Sequence, residues 1–128
     1  MILDSSALVA VLLREHGWQA ILGRVAADEN AAVGAPTLAE TGVVLTARIG
    51  RDARTLLTAF VREAGITVVP FVEEHARAAV EAFAKFGKGR HPAGLNFGDC
   101  MTYAVAKLAG QPLLCVGDDF PRTDLPMA

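Results

Sequence analysis

The sequence predicts an α/β fold of three layers, with helices on both faces of a mostly parallel central sheet of about four to five strands. Three observations carry this expectation. Short apolar or β-branched runs alternate with longer segments of helical period along the whole chain. Helical segments separate the successive strands, and parallel neighbours need such crossovers. Finally, acidic residues stand just past a strand or in the first turn of a following helix, at Asp4, Glu40, Asp99 and the adjacent pair Asp118 and Asp119. A parallel sheet gathers those positions at one edge.

Residues 1–3 form a short apolar strand, and residues 5–13 (SSALVAVLL) follow as a helix that is apolar nearly all round and hence buried. Residues 18–27 read as a second helix and 31–35 as a short strand. Residues 36–49 make a third helix, opened by Pro36 and ended near Gly50. A fourth helix spans 52–64 and is closed by Gly65, and residues 66–70 (ITVVP) form a β-branched strand stopped by its proline. Residues 72–86 are a fifth helix. The segment 87–94 (GKGRHPAG) is too rich in glycine and proline to continue it, and is the only long loop. Residues 99–109 form a sixth helix, 113–116 (LLCV) a last strong strand, and 117–128 a polar, proline-punctuated tail.

Composition limits what such a fold can do. With 128 residues and 52% hydrophobic content, residues 1–128 fit one domain, able to bury roughly two-thirds of its unfolded surface. No repeat, linker or low-complexity segment divides it. The net charge of −2, from 12 basic against 14 acidic residues, means that nucleic-acid binding would need a local basic patch. The longest apolar run, 7–13, is too short to span a membrane, so a cytoplasmic protein is expected. Cys100 and Cys115 read as reduced packing residues, and His16, His75 and His91 lack the spacing of a zinc site.

The acids carry the chemistry. Four negative charges at one sheet edge would repel each other by several kcal/mol unless a cation sat among them, so the pattern predicts a divalent-metal site. Asp4 also suits an N-cap, although Ser5 and Ser6 could cap equally well. Glu40 fits a capping box with Thr37, but it shares a helix face with Val43, Val44 and Ala47, which aims its carboxylate along an apolar stripe and calls for compensation. Asn96 is available to cap the helix at Asp99, leaving Asp99 free, and Gly98 permits close backbone approach. Of Asp118 and Asp119, adjacent side chains diverge, so at most one enters the site.

With these residues in place, the sequence resembles the PIN-domain ribonucleases, and within them the VapC toxins of bacterial toxin–antitoxin pairs. The resemblance runs through LDSSALVAVL, PTLAETGVVLTARIG, FGKGRHPAGLNFGDCMTYAVAK and LLCVGDDF, with PTLAE and LNFGD the most specific segments. It implies a PIN-like sandwich whose first strand lies between the second and the last. The family's acidic set falls on Asp4, Glu40 and Asp99, with the fourth acid assigned to Asp119 by its spacing from Phe120; many relatives instead have an acid where this chain has Gly117. On this resemblance Asp4, Asp99 and Asp119 would hold Mg²⁺ or Mn²⁺, and Glu40 would position or deprotonate the attacking water or complete a second metal site. Oxygen ligands without histidine or cysteine suit such hard cations.

The resemblance also implies a VapB-type antitoxin, a homodimer and a toxin–antitoxin hetero-oligomer. The antitoxin segment over the site is expected to bring an arginine, since a guanidinium can satisfy carboxylates. Lys85, Lys88, Arg90 and His91 form a compact basic cluster suited to RNA phosphates beside an acidic site. With one Trp and one Tyr, strong readout by base stacking is not indicated.

Other acidic α/β classes fit less well. A receiver domain would need an aspartate after the middle strand and a lysine after a late one, where this chain has Val69-Pro70 and Gly117. A haloacid-dehalogenase-type phosphatase would need Asp-x-Asp, not Asp4-Ser5-Ser6. A non-catalytic PIN-like binding module is the remaining rival, and the complete acidic set argues against it.

Overall fold

The computed structural model describes all residues, Met1 to Ala128. In chain order the elements are β1 (Ile2–Leu3), α1 (Ser5–Leu12), α2 (Trp18–Ala27), β2 (Ala32–Gly34), α3 (Ala35–Ile49), α4 (Arg54–Glu63), β3 (Thr67–Val69), α5 (Glu73–Phe86), α6 (Phe97–Ala109) and β4 (Leu113–Leu114), followed by a 3-10 turn at Phe120–Arg122. The four strands form one sheet in the order β3-β2-β1-β4, and every pairing is parallel. β1 thus lies between the second strand and the last, and the chain reverses its winding direction there. Ligands in open α/β sheets bind outside the carboxyl ends of strands at such a point.

Alternation along the strands sorts the core into two halves. Leu3, Val33 and Leu114 face a cluster completed by Leu8 of α1, Val25 of α2, Leu45 of α3, and Leu57 and Val61 of α4. Ile2, Ala32 and Leu113 face the other cluster, built with Ala79 and Ala82 of α5 and Cys100, Tyr103 and Val105 of α6. Each fully buried leucine in these layers is worth roughly 2 kcal/mol relative to exposure.

Local chemistry explains most boundaries. α2 occupies the expected residues, and α3 ends where Gly50 adopts a left-handed φ of 81°. α6 opens at Phe97, two residues before the expected start, because Asn96 is its N-cap. The tail is more ordered than its composition suggests. Phe120 and Leu125 are buried, and Met127 bridges Leu113 in parallel, adding a residue of edge pairing beyond β4. Asp124 secures this return by accepting from the Tyr103 hydroxyl at 2.6 Å and the Lys107 ammonium at 2.8 Å. No helix is long and apolar enough to cross a membrane.

Candidate active site

Asp4 follows β1 directly and caps α1. Its Oδ2 accepts from the Ser6 backbone N–H at 3.0 Å and from the Ser6 hydroxyl at 2.6 Å. The same hydroxyl accepts from the Val116 N–H at 2.9 Å, so one serine ties the start of α1 to the chain leaving β4. Asp4 is 4% exposed, and its Oδ1 is buried without a hydrogen-bond partner. Such an oxygen is costly unless a donor or cation meets it.

Asp99 lies in the first turn of α6 and is not free. Asn96 Oδ1 accepts from the Asp99 N–H at 2.8 Å, and Asp99 Oδ2 accepts from the Asn96 N–H at 3.0 Å. The expectation that Asn96 would cap alone is corrected, because the pair forms a reciprocal capping box that engages one Asp99 oxygen. Burial pushes the Asp99 carboxyl up to about 6; the Asn96 N–H pulls it down, and the charges of Asp4, Asp119 and Glu40 push it further up. Three acids from separate parts of the chain therefore act on Asp99.

Glu40 reaches this group from the second turn of α3. Its carboxylate lies against Gly98, where any Cβ would overlap its Oε2. The expected apolar stripe is corrected: Val43 is 70% exposed and Ala47 is exposed, because α3 turns Thr37, Thr41 and Leu45 inward instead. Glu40 is half-buried at the border of these two faces. The capping box with Thr37 does not form either. The helix opens at Ala35 with Gly34 as its cap, and the Thr37 hydroxyl bonds that of Thr102.

Asp118 and Asp119 are both exposed. The charge of Asp119 acts on Asp99 and on Cys115. Burial, followed by the charges of Asp4, Asp119 and Asp99, pushes the Cys115 thiol up to about 11. Neither cysteine is in a disulfide, and Cys115 stays a neutral thiol near neutral pH. No three of the acids stand close enough together to hold one ion as a purely direct ligand set.

With this geometry in view, a PIN domain family model matches residues 1–125. Ribonuclease VapC36 of Mycobacterium tuberculosis is 51% identical over 126 residues, covering 98% of this chain and 91% of the relative. The chain belongs to the PIN-domain VapC ribonucleases. Solved structures share the fold at lower identity. VapC20 of M. tuberculosis, described as a sarcin–ricin loop cleaving toxin, matches with a TM-score of 0.80 at 17% identity, over 99% of this chain and 97% of that one. A toxin–antitoxin complex from Klebsiella pneumoniae matches with a TM-score of 0.66 at 18% identity, over 93% and 88%.

Around this PIN-domain site the basic cluster divides into different environments. Lys85 pairs with Glu81 one turn earlier on α5, at 2.9 Å. The Arg90 guanidinium stands 5.5 Å from the Phe83 ring centre. His91 is partly structural: its Nδ1 accepts from the Ala93 N–H at 3.0 Å and its ring meets Phe86 edge-on. Lys88 is exposed and makes no ion pair. Its N–H donates to the Leu95 carbonyl at 2.9 Å, which closes the loop directly before Asn96 and the α6 N-terminus. The same lip presents Phe97, 78% exposed. Sequence reasoning passed over Phe97 by counting only Trp and Tyr, and it treated Ser6 as a spare cap. The spacing Asp4-x-Ser6 does signal a side chain that can bond the capping acid.

Proposed function

We propose that the chain hydrolyses RNA phosphodiesters at this acidic edge with Mg²⁺ or Mn²⁺, as the toxin partner of a VapB-type antitoxin in the cytoplasm. The observation that carries the reading is the Oδ1 of Asp4, buried without a hydrogen-bond partner. The Asp99 carboxyl, raised to about 6 chiefly by burial and also by the charges of Asp4, Asp119 and Glu40, supports the same reading. A buried carboxylate with further acids around it suits a hard divalent cation, and Mg²⁺ usually keeps several waters rather than an all-protein cage. Asp4, Asp99 and Asp119 would hold the ion, directly or through water. When bound, it supplies positive charge to the phosphate and acidifies water.

The protein residues then have separate tasks. Glu40, held against Gly98, orients the attacking water and accepts its proton. Ser6 holds the Asp4 carboxylate in one orientation. Lys88 and Arg90 contact phosphates, and Phe97 offers an exposed ring to an unpaired base. An antitoxin arginine over the acids would replace the cation by charge-assisted hydrogen bonds. The groove between α3 and α4, about 1190 Å³ and lined by Leu38, Gly42, Val43, Leu57 and Val61, offers an apolar bed for such a partner.

Cleavage of a single-stranded RNA by purified protein tests this reading. Activity should require Mg²⁺ or Mn²⁺ and vanish in EDTA, and Asp4→Asn should lower the rate by about a hundredfold or more with the circular dichroism unchanged. Undiminished cleavage in chelator would overturn the metal assignment.

A further inference from the structure

We propose that Thr37 and Thr102 are positioning residues for the cleavage reaction, a buried hydroxyl pair that sets the register of α3 against α6 and so places Glu40 beside Asp99. The inference rests on the assignment of those two acids to the active site.

The geometry is a ladder of contacts between antiparallel helices. At one end, a Cβ on Gly34 would stand 2.7 Å from Val105 Cγ2. In the middle, the Thr37 and Thr102 hydroxyls lie 2.7 Å apart. At the other end the Glu40 carboxylate packs on Gly98. From the Gly34 cap along α3 the contacts advance through 34, 37 and 40; along α6 they retreat through 105, 102 and 98. Each step is about one helical turn, so the middle contact lies one turn from both Glu40 and Asp99. The strands here are two or three residues long, and beyond their ends the two helices meet directly.

A polar middle contact is informative because packing alone does not require it. Thr37 is 2% exposed and Thr102 is not exposed at all, and burying two hydroxyls carries a desolvation cost that an apolar pair would avoid. A helical threonine also has an alternative partner one turn back, as Thr41 shows by donating to the Thr37 carbonyl at 2.8 Å. Thr37 and Thr102 bond each other instead. A directional bond between helices defines one register where apolar surfaces tolerate several. The glycines on either side set how closely the helices approach, and Gly98 lets the Glu40 carboxylate occupy the space of a side chain.

The test compares wild type, the double variant Thr37→Val with Thr102→Val, the double variant Thr37→Ser with Thr102→Ser, Gly98→Ala and Glu40→Gln. Melting temperature, kcat and KM are measured on one RNA oligonucleotide with Mg²⁺. Removing both hydroxyls leaves neither unsatisfied, but two methyls need about an ångström more separation than hydrogen-bonded oxygens, so the valine pair should fold with a lowered melting temperature and α3 displaced against α6. Its kcat should fall by about ten- to a hundredfold, the scale of an ångström of misplacement, with KM little changed. The serine pair should restore kcat. Gly98→Ala, which displaces Glu40 without touching the threonines, should show the same split and covers the case of a valine pair that does not fold. Wild-type kcat in a folded valine pair, with Glu40→Gln inactive, would overturn this inference and leave the site assignment standing. Unchanged activity in Glu40→Gln would overturn both.

Discussion

Asp119 and Asp118 give the sharpest comparison at the scale of single residues. The charge of Asp119 acts on Asp99, so Asp119→Asn should lose activity as Asp4→Asn does, while Asp118→Asn keeps most of it. The reverse ranking in parallel assays would mean that the other carboxylate serves the site. Asp99 makes a prediction about stability. Its carboxyl is raised from 3.8 to about 6 in the folded chain, so between those values the folded state holds the extra proton. The stabilisation is complete below about pH 4 and is lost as pH rises through about 6. Metal-free wild type should therefore lose ground to Asp99→Asn across that window, and added Mg²⁺ should raise the wild-type melting temperature more than the variant's at pH 7. A difference in melting temperature that stays flat from pH 4 to 7 would contradict this account of the acidic cluster.

At the scale of elements, the site depends on how neighbouring segments are tied together. Ser6 links the α1 N-terminus to the chain beyond β4 through Asp4 Oδ2 and the Val116 N–H. Ser6→Ala should cost about 1 kcal/mol in denaturant unfolding. It should also reduce kcat, because the Asp4 carboxylate loses its strongest orienting bond; normal kcat with reduced stability would limit Ser6 to a structural role. The basic loop follows a different logic. Lys88 is exposed and unpaired, so Lys88→Ala should weaken RNA binding uniformly across sequences and reduce the slope of log affinity against log salt by about one. Lys85, already paired with Glu81, should matter less. Equal effects from the two lysines would place the RNA along α5 rather than along the loop.

For the whole molecule, the exposed apolar residues are the feature that bears on the proposed partners. Val43 and Val80 are each at least 70% exposed, a pattern suited to apolar contact with another chain, in line with the homodimer and the antitoxin complex proposed for this toxin. An antitoxin peptide bearing an arginine should inhibit cleavage, and Glu40→Gln or Asp99→Asn should weaken its binding at low salt; unchanged affinity would move inhibition away from the acids. Much of the architecture was legible in the chain, because helical and strand periods are local properties: the bounds of α2, the Gly50 stop and the alternation of elements all follow from residues a few positions apart. The strand order entered through the family resemblance, which rests on whole segments such as PTLAE and LNFGD. The acids were read as a set because a parallel sheet is expected to bring the ends of its strands to one edge. What the sequence determined by itself, then, was which elements form and which acids stand near their ends. Only the tertiary structure decided that Glu40 borders an exposed face rather than a buried stripe, that Asp99 shares its carboxylate with Asn96, and that Thr37 bonds Thr102 across 65 residues. Those outcomes depend on which helix packs against which, a contact between distant segments that no local period encodes.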